Sequence, residues 1–279
     1  MVKVYSEALG LEIEVPDEPK RIVSLSPAIT ETLYRLGLAD RIVAVSYFCH
    51  KPPEAREKPK VGSYLKVEYE KMEALEPDLV LTTTGAQRKV LEDLVKRGME
   101  KGYAVYPIPL PVTAYGILDE ITIIGMLTGR VKEARSLAAR LASEYTSLKD
   151  SLAGVKVYYE IFLGGPVSAA AHSYVQDILE FLGAVTPFAG ERKTWVIEPD
   201  PGVIREFDPD VILYEKSPYA PLDEEKIRAD FEKRGLGDLT ALREGRLVIL
   251  EPDTLAHYGP SIFEDLKDIV GRVRSLIGR

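Results

Sequence analysis

The sequence predicts an α/β fold in two lobes, each built on a parallel sheet with helices on both faces, tied together by one long helix. Three observations carry this. Short strands that are apolar throughout, not alternating, are separated by helical patterns in residues 21–108 and again in 155–277; strands of this kind belong to parallel sheets covered on both faces. Between the two regions, from 113 to 152, nothing reads as a strand. The halves also echo each other. Leu75-Glu76-Pro77-Asp78-Leu79-Val80-Leu81 resembles Phe207-Asp208-Pro209-Asp210-Val211-Ile212-Leu213, a helix end meeting Pro-Asp and then a buried strand. A common helix-to-strand junction arrived at twice would look the same, but the flanking order of elements repeats as well, which favours a pseudo-repeat.

The elements follow in order. Residues 21–26 (RIVSLS) form a strand, and Ser26-Pro27 reads as an N-cap with proline at the first helical position of a helix that runs to Leu36 and stops at Gly37. Residues 41–46 (RIVAVS) are a second strand. A short helix at 72–75 leads into the strand 79–82, and 86–102 is an amphipathic helix with Val90, Leu91, Leu94 and Val95 on one face, followed by a strand at 104–108. Val131, Ala134, Ala138, Leu141, Tyr145, Leu148 and Leu152 then recur at three- and four-residue spacing. A helix over 131–152 runs about 33 Å at 1.5 Å per residue, enough to tie two lobes together. Strands at 155–161, 211–214 and 247–250 and helices at 174–182 (ending at Gly183), 226–234 and 262–277 complete the second half. The expected division is 1–112, a linking helical segment 113–153, and 154–279.

Composition narrows the function. The 279 residues are 46% hydrophobic and carry a formal net charge of −8, which argues against a nucleic-acid partner. Cys49 is the single cysteine, so no internal disulfide is possible. No apolar run approaches the roughly 20 residues that span a bilayer. The opening MVKVYSEALGLEIEV lacks a basic segment followed by an apolar one, so the expectation is either a chain that stays inside the cell or a mature form with an added Met. There is no G-x-S-x-G turn, no G-x-G-x-x-G after the first strand and no G-x-x-x-x-G-K-[ST], which leaves hydrolase, dinucleotide and nucleotide chemistry without support.

Arg21-Ile22-Val23-Ser24-Leu25-Ser26-Pro27, then Thr30-Glu31, Leu36-Gly37 and the strand at 41–46, resembles the opening of the vitamin B12-, haem- and siderophore-binding proteins of ABC importers. The resemblance continues through Pro52-Pro53-Glu54-Ala55, Val61-Gly62, Glu70 and Leu75 to Val80, and persists at Asp177 to Gly183 and Pro209 to Ile212. It implies two Rossmann-like lobes joined by one rigid helix, a ligand in the cleft between them, and no enzymatic chemistry. It also implies a monomer outside the cytoplasm, its signal peptide absent from this chain, that delivers its ligand to an ABC permease with its ATPase. The ligand expected first is a cobalt corrinoid, because the first-lobe pattern is closest to that branch, then a ferric siderophore or haem; no permanent cofactor is expected. The alternatives are an intracellular corrinoid or metal-chelate chaperone, for which a cytoplasmic location stays open, and a three-histidine Zn²⁺ or Mn²⁺ protein on the same fold.

The loops after strands hold all three histidines, the only tryptophan and several tyrosines, the amphipathic set that a large flat chelate calls for. The resemblance places pocket positions at Tyr47, Phe48, Tyr64, Trp195 and Asp253. His50, His172 and His257 lie in these loops as polar residues or as metal ligands; His172 and His257 are the candidates for axial ligation of a bound chelate, and Tyr258 can also ligate iron. Cys49 is read as a small buried residue, with a thiolate ligand as the alternative, and Arg192 and Lys193 as solvated charges or partners of an anionic chelate. The family docks on its permease through one surface glutamate per lobe. Glu70 matches the first, though a helix N-terminal charge explains it equally; the second falls on Gly202, flanked by Glu198 and by Glu206, which can substitute.

Overall fold

The computed structural model describes residues 1–63, 65–85, 88–192, 194–217 and 222–278, the side chains of 88 and 89 excepted. The chain divides into two compact units, Met1–Leu110 with Tyr115–Leu141, and Pro111–Ala114 with Ala142–Arg279.

The apolar runs of the first half become a four-stranded parallel sheet. Strand β3 (Ile22–Ser24) pairs with β4 (Ile42–Val45) on one side and β5 (Leu79–Thr83) on the other, and β6 (Ala104–Ile108) extends it in the order β4-β3-β5-β6. Every residue of β5 and β6 is buried, as unbroken hydrophobicity requires of strands covered on both faces. Helices α1 (Pro27–Arg35), α2 (Tyr69–Glu73) and α3 (Arg88–Lys101) connect them. Val23, Leu25, Met72, Val80, Leu94 and Val105 form one apolar cluster in this unit. Ser26 stands at the N-cap of α1 as expected, but its side chain does not make the capping bond; Pro27 sets the helix start instead.

Residues 1–15, which the sequence patterns leave unassigned, form an antiparallel hairpin of β1 (Val2–Ser6) and β2 (Leu11–Val15) whose second strand packs on β6. The central region corrects the single long helix. It contains α4 (Ala114–Leu127) and α5 (Val131–Thr146), so the helix starting at Val131 spans 16 residues and not the whole of 131–152. After Thr146 the chain tightens into turns, Leu148 N–H donating to the Tyr145 carbonyl and Ala153 N–H to that of Asp150, with Asp150 in the left-handed region. The leucine spacing persists through Leu152 because that residue is buried, not because the helix continues. Gly125 of α4 lies where an added Cβ would stand 2.2 Å from the Cβ of Ala134 on α5, which permits the close crossing of the two helices.

The second unit has a five-stranded sheet in the order β11-β10-β7-β8-β9. Strands β7 (Val157–Phe162), β10 (Val211–Glu215) and β11 (Leu247–Leu250) are parallel, but β8 (Pro166–Ala169) and β9 (Val196–Ile197) run antiparallel. A wholly parallel second sheet is therefore corrected to a mixed one. The cause is local: Gly164, at φ +92, turns the chain back on β7 directly after Leu163. Helices α6 (Tyr174–Phe181), α7 (Pro201–Phe207), α8 (Glu224–Lys233), α9 (Thr240–Arg243) and α10 (Ser261–Leu276) complete the unit. Arg234, at the end of α8, makes a bidentate pair with the buried Glu160 of β7 at 2.7 and 2.8 Å, the geometry that compensates desolvation of both charges.

The Pro-Asp echo is a structural repeat. Glu76 and Asp208 both adopt positive φ, at 45° and 42°. Two residues on, Asp78 accepts from the backbone N–H groups of Lys20 and Arg21 at 2.7 and 3.1 Å, and Asp210 from that of Lys156 at 2.9 Å. Each aspartate thus pins the start of the first parallel strand of its own sheet.

Candidate ligand-binding site

In the first unit, buried hydroxyls gather at the carboxyl ends of the strands: Ser24, Ser26, Ser46, Thr82 and Thr83. The loop after β4 begins at Tyr47, whose N–H donates to the Gly62 carbonyl at 2.8 Å while its hydroxyl donates to the Glu68 carboxylate. That bond holds the Glu68 carboxyl below its ordinary range and pushes the phenol up. Tyr47 is 53% exposed and presents its ring to solvent. Phe48 and His50 are half-buried, and His50 Nδ1 lies 2.8 Å from the Phe48 carbonyl. Cys49 is buried, its Sγ 3.1 Å from Thr30 Oγ1 and 3.2 Å from Ser46 Oγ, and burial raises its pKa. These contacts favour the structural reading of the cysteine over a thiolate ligand. Lys60 ties the loop down from beneath, its Nζ donating to the carbonyls of Cys49 (3.0 Å) and Ala55 (2.9 Å). Tyr64 lies outside the described residues.

In the second unit three segments converge. The 171–174 segment follows β8 and is bound to the segment before β9: Ala170 N–H donates to the Trp195 carbonyl and Ala171 N–H to that of Glu191, both at 2.9 Å. His172 and Arg192 are exposed, as is Trp195 at 45%; Lys193 lies outside the described residues. Ser173 caps α6 through Val175 N–H, which aims Tyr174 toward the third segment. There Tyr174 Oη donates to the Leu255 carbonyl at 2.9 Å, and its ring meets that of Tyr258 edge to face at 5.9 Å. Asp253 sits at φ +61 and His257 is buried. Beneath this loop Glu215, the last residue of β10 and fully buried, accepts from the backbone N–H groups of Thr254, Leu255 and Ala256 and from Tyr159 Oη at 2.9–3.1 Å.

The structure therefore joins Tyr47, Phe48 and His50 in one loop, and brings the His172, Trp195 and Tyr258 segments together through backbone and ring contacts. Among the described residues no group of three or more His, Cys, Asp and Glu side chains is placed to hold a metal ion, so the three-histidine Zn²⁺ or Mn²⁺ arrangement finds no such cluster. The sequence patterns missed Glu215 and Lys60. The one signal for Glu215 is a carboxylate closing an otherwise apolar strand, Val211-Ile212-Leu213-Tyr214-Glu215.

The family model of periplasmic binding proteins matches residues 22–254, from the first residue of β3 into the last of these loops. The chain belongs to the periplasmic binding protein family. Members of this family are solute-binding components of transport without enzymatic chemistry. Among its relatives, an uncharacterised ABC transporter substrate-binding lipoprotein of Bacillus subtilis is 24% identical over 270 residues, 94% of this chain and 82% of its own length. A vitamin B12-binding protein of Vibrio parahaemolyticus is 28% identical over 191 residues, 67% of this chain and 68% of its own. The fold is that of the periplasmic vitamin B12-binding protein of Vibrio cholerae, with TM-score 0.72 and 20% identity over 94% of this chain and 99% of that one. It is equally that of the periplasmic haem-binding protein of Roseiflexus sp. RS-1, with TM-score 0.77 and 21% identity over 92% and 98%.

For this periplasmic binding protein the two helices expected to carry docking carboxylates are comparable. Glu70 is the second residue of α2 and is exposed; Gly202 is the second residue of α7, where its N–H donates to the capping Asp200 at 2.7 Å. Glu198 and Glu206 are exposed on either side. No described helix is long and apolar enough to cross a membrane.

Proposed function

We propose that this protein captures a metal chelate outside the cytoplasm and presents it to an ABC permease with its ATPase, acting as a monomer. The observation that carries the reading is the collection of exposed or half-exposed aromatic residues, Trp195 before β9 and, on loops at the carboxyl ends of parallel strands, Tyr47 and Phe48 in one unit and Tyr258 in the other. Such loops are where open α/β sheets bind ligands, and aromatic faces suit a large flat molecule that a few polar groups orient. Asp253 and Tyr64 complete the proposed contact set. A cobalt corrinoid is the ligand favoured first, since relatives at 25–28% identity are named for vitamin B12 or cobalamin.

A haem or ferric siderophore is the second reading. It is favoured by His172 and Tyr258 on adjoining segments of the second unit, which with His257 supply imidazole and phenolate donors for iron, and by the fold shared with a haem-binding protein. Docking on the permease is assigned to Glu70, with Glu206 in the place that Gly202 leaves without a carboxylate.

The test is a visible-absorption and fluorescence-quenching titration of the purified protein against cyanocobalamin, haemin, and ferric catecholate and hydroxamate chelates, with free Zn²⁺ as control. Saturable binding of one chelate is expected and names the ligand. A shift of the metal-centred band assigns a histidine or tyrosine to the metal. Tight Zn²⁺ binding with no chelate bound would overturn the reading.

A further inference from the structure

The contacts of Glu215 have no counterpart in what a strand needs to pair. Its carboxylate receives five hydrogen bonds from four donors: Thr254 N–H at 3.0 Å, Leu255 N–H at 2.9 Å, Ala256 N–H shared between both oxygens at 3.1 Å, and Tyr159 Oη at 3.0 Å. Every one of these donors is neutral. Three successive backbone N–H groups converging on one anion make a nest, a concavity that ordinarily receives a bound phosphate or carboxylate; here the chain fills it with its own side chain. The positive φ of Asp253 begins the turn that points the amides inward. Burial of the carboxyl with no cation among these donors is costly, and burial holds it up to about 7, with Asp253 nearby adding to the effect. An apolar side chain in the same space would leave the three loop N–H groups and the Tyr159 hydroxyl without this acceptor.

We propose that Glu215 is a positioning residue for ligand binding: its carboxylate fixes the backbone of the 253–258 loop and so sets where Asp253, His257 and Tyr258 stand. Tyr174 secures the same loop from above through the Leu255 carbonyl and the Tyr258 ring, so the loop is held on both sides by residues that themselves touch no ligand in this assignment. The inference rests on the reading of this loop as part of the binding site.

The test uses the full chain, with cyanocobalamin and haemin as probes, and compares Glu215→Gln with Glu215→Asp. Glutamine keeps the volume but sets an NH₂ group against backbone N–H donors; aspartate keeps the charge and gives up a methylene. A positioning carboxylate predicts that E215Q weakens binding by about 10- to 100-fold, the scale on which loss of a supporting partner acts, and that E215D keeps the larger share of the affinity. A residue that merely fills space predicts the reverse order, and that order overturns the proposal, as does an E215Q affinity equal to the wild type. Hydrogen exchange on the wild type supplies an arm that no folding failure can remove: the amides of Thr254, Leu255 and Ala256 should exchange slowly, and exchange at unprotected rates overturns the proposal. If the wild type binds neither probe, the reading of the loop falls and this inference with it; if the wild type binds and E215Q binds equally well, this inference alone falls.

Discussion

Two charged side chains, one in each unit, tie down the loops that carry the aromatic residues, and they do it with opposite chemistry. Lys60 donates to two carbonyls of the loop after β4, whereas Glu215 accepts from three amides of the loop after β11. Replacing Lys60 by methionine keeps the stem and leaves both carbonyls without this donor; a loss of about 1–3 kcal/mol is expected in urea unfolding. For Glu215 the sign of the pH dependence follows from its raised pKa. The unfolded carboxyl ionises near 4.5 and the folded one near 7, so between those values the folded chain holds the extra proton. Stability falls as pH rises across that window and is level beyond it. Glu215→Gln removes this component, so unfolding free energies measured from pH 4 to 8 should show a decline in the wild type that the variant lacks. Trp195→Ala should weaken chelate binding by about 1–3 kcal/mol if the ring is a central anchor, and an unchanged titration curve would remove it from the site. The aromatic and histidine residues were legible in the sequence because large side chains in loops after strands stand out. Lys60 and Glu215 were not: each acts on backbone groups whose direction is set by turns that no spacing of residues encodes.

At the scale of elements, the parallel strands and their helices were legible because burial on both faces leaves an unbroken apolar run. The antiparallel β8 and β9 were not, since Pro166–Ala169 and Val196–Ile197 are too short to carry a pattern and exist through pairing alone. The end of α5 was misplaced because the apolar spacing outlasts the helix through the buried turn at Leu152. The repeated Pro-Asp junction yields a contrast between its two copies. Glu76 is exposed in the left-handed region, so Glu76→Gly should raise stability by about 0.5–1 kcal/mol. Asp208 has the same φ, but its carboxylate accepts from Thr240 N–H and Oγ1 at 2.8 and 2.7 Å. Asp208→Gly should therefore lower the melting temperature, and the pair of thermal scans separates backbone strain from side-chain bonding. Enlarging Gly125 to valine should cost about 1–3 kcal/mol by forcing α4 from α5.

At the scale of the whole molecule, the fold was legible and the ligand was not. Periodicity spread over most of the chain specifies two α/β halves, whereas the choice among corrinoid, haem and siderophore depends on the positions of a few side chains that similar folds vary freely. The proposed docking on a permease belongs to this scale, since it assigns one carboxylate to each unit, Glu70 on α2 and Glu206 on α7. Glu70→Lys should leave chelate affinity unchanged and impair uptake in reconstituted vesicles, and Glu206→Lys should do the same if it replaces the carboxylate that Gly202 lacks. Normal uptake by either variant would remove that residue from the permease contact.

The paired aspartates also bear on how the chain is made. Asp78 reaches back 58 residues to Lys20, and Asp210 reaches back 54 residues to Lys156. The leading strand of each half emerges from the ribosome long before the carboxylate that fixes its start, and waits for it across nearly the same length of chain. Because the entropy of closing such a loop grows only with the logarithm of its length, the two closures are almost equally demanding.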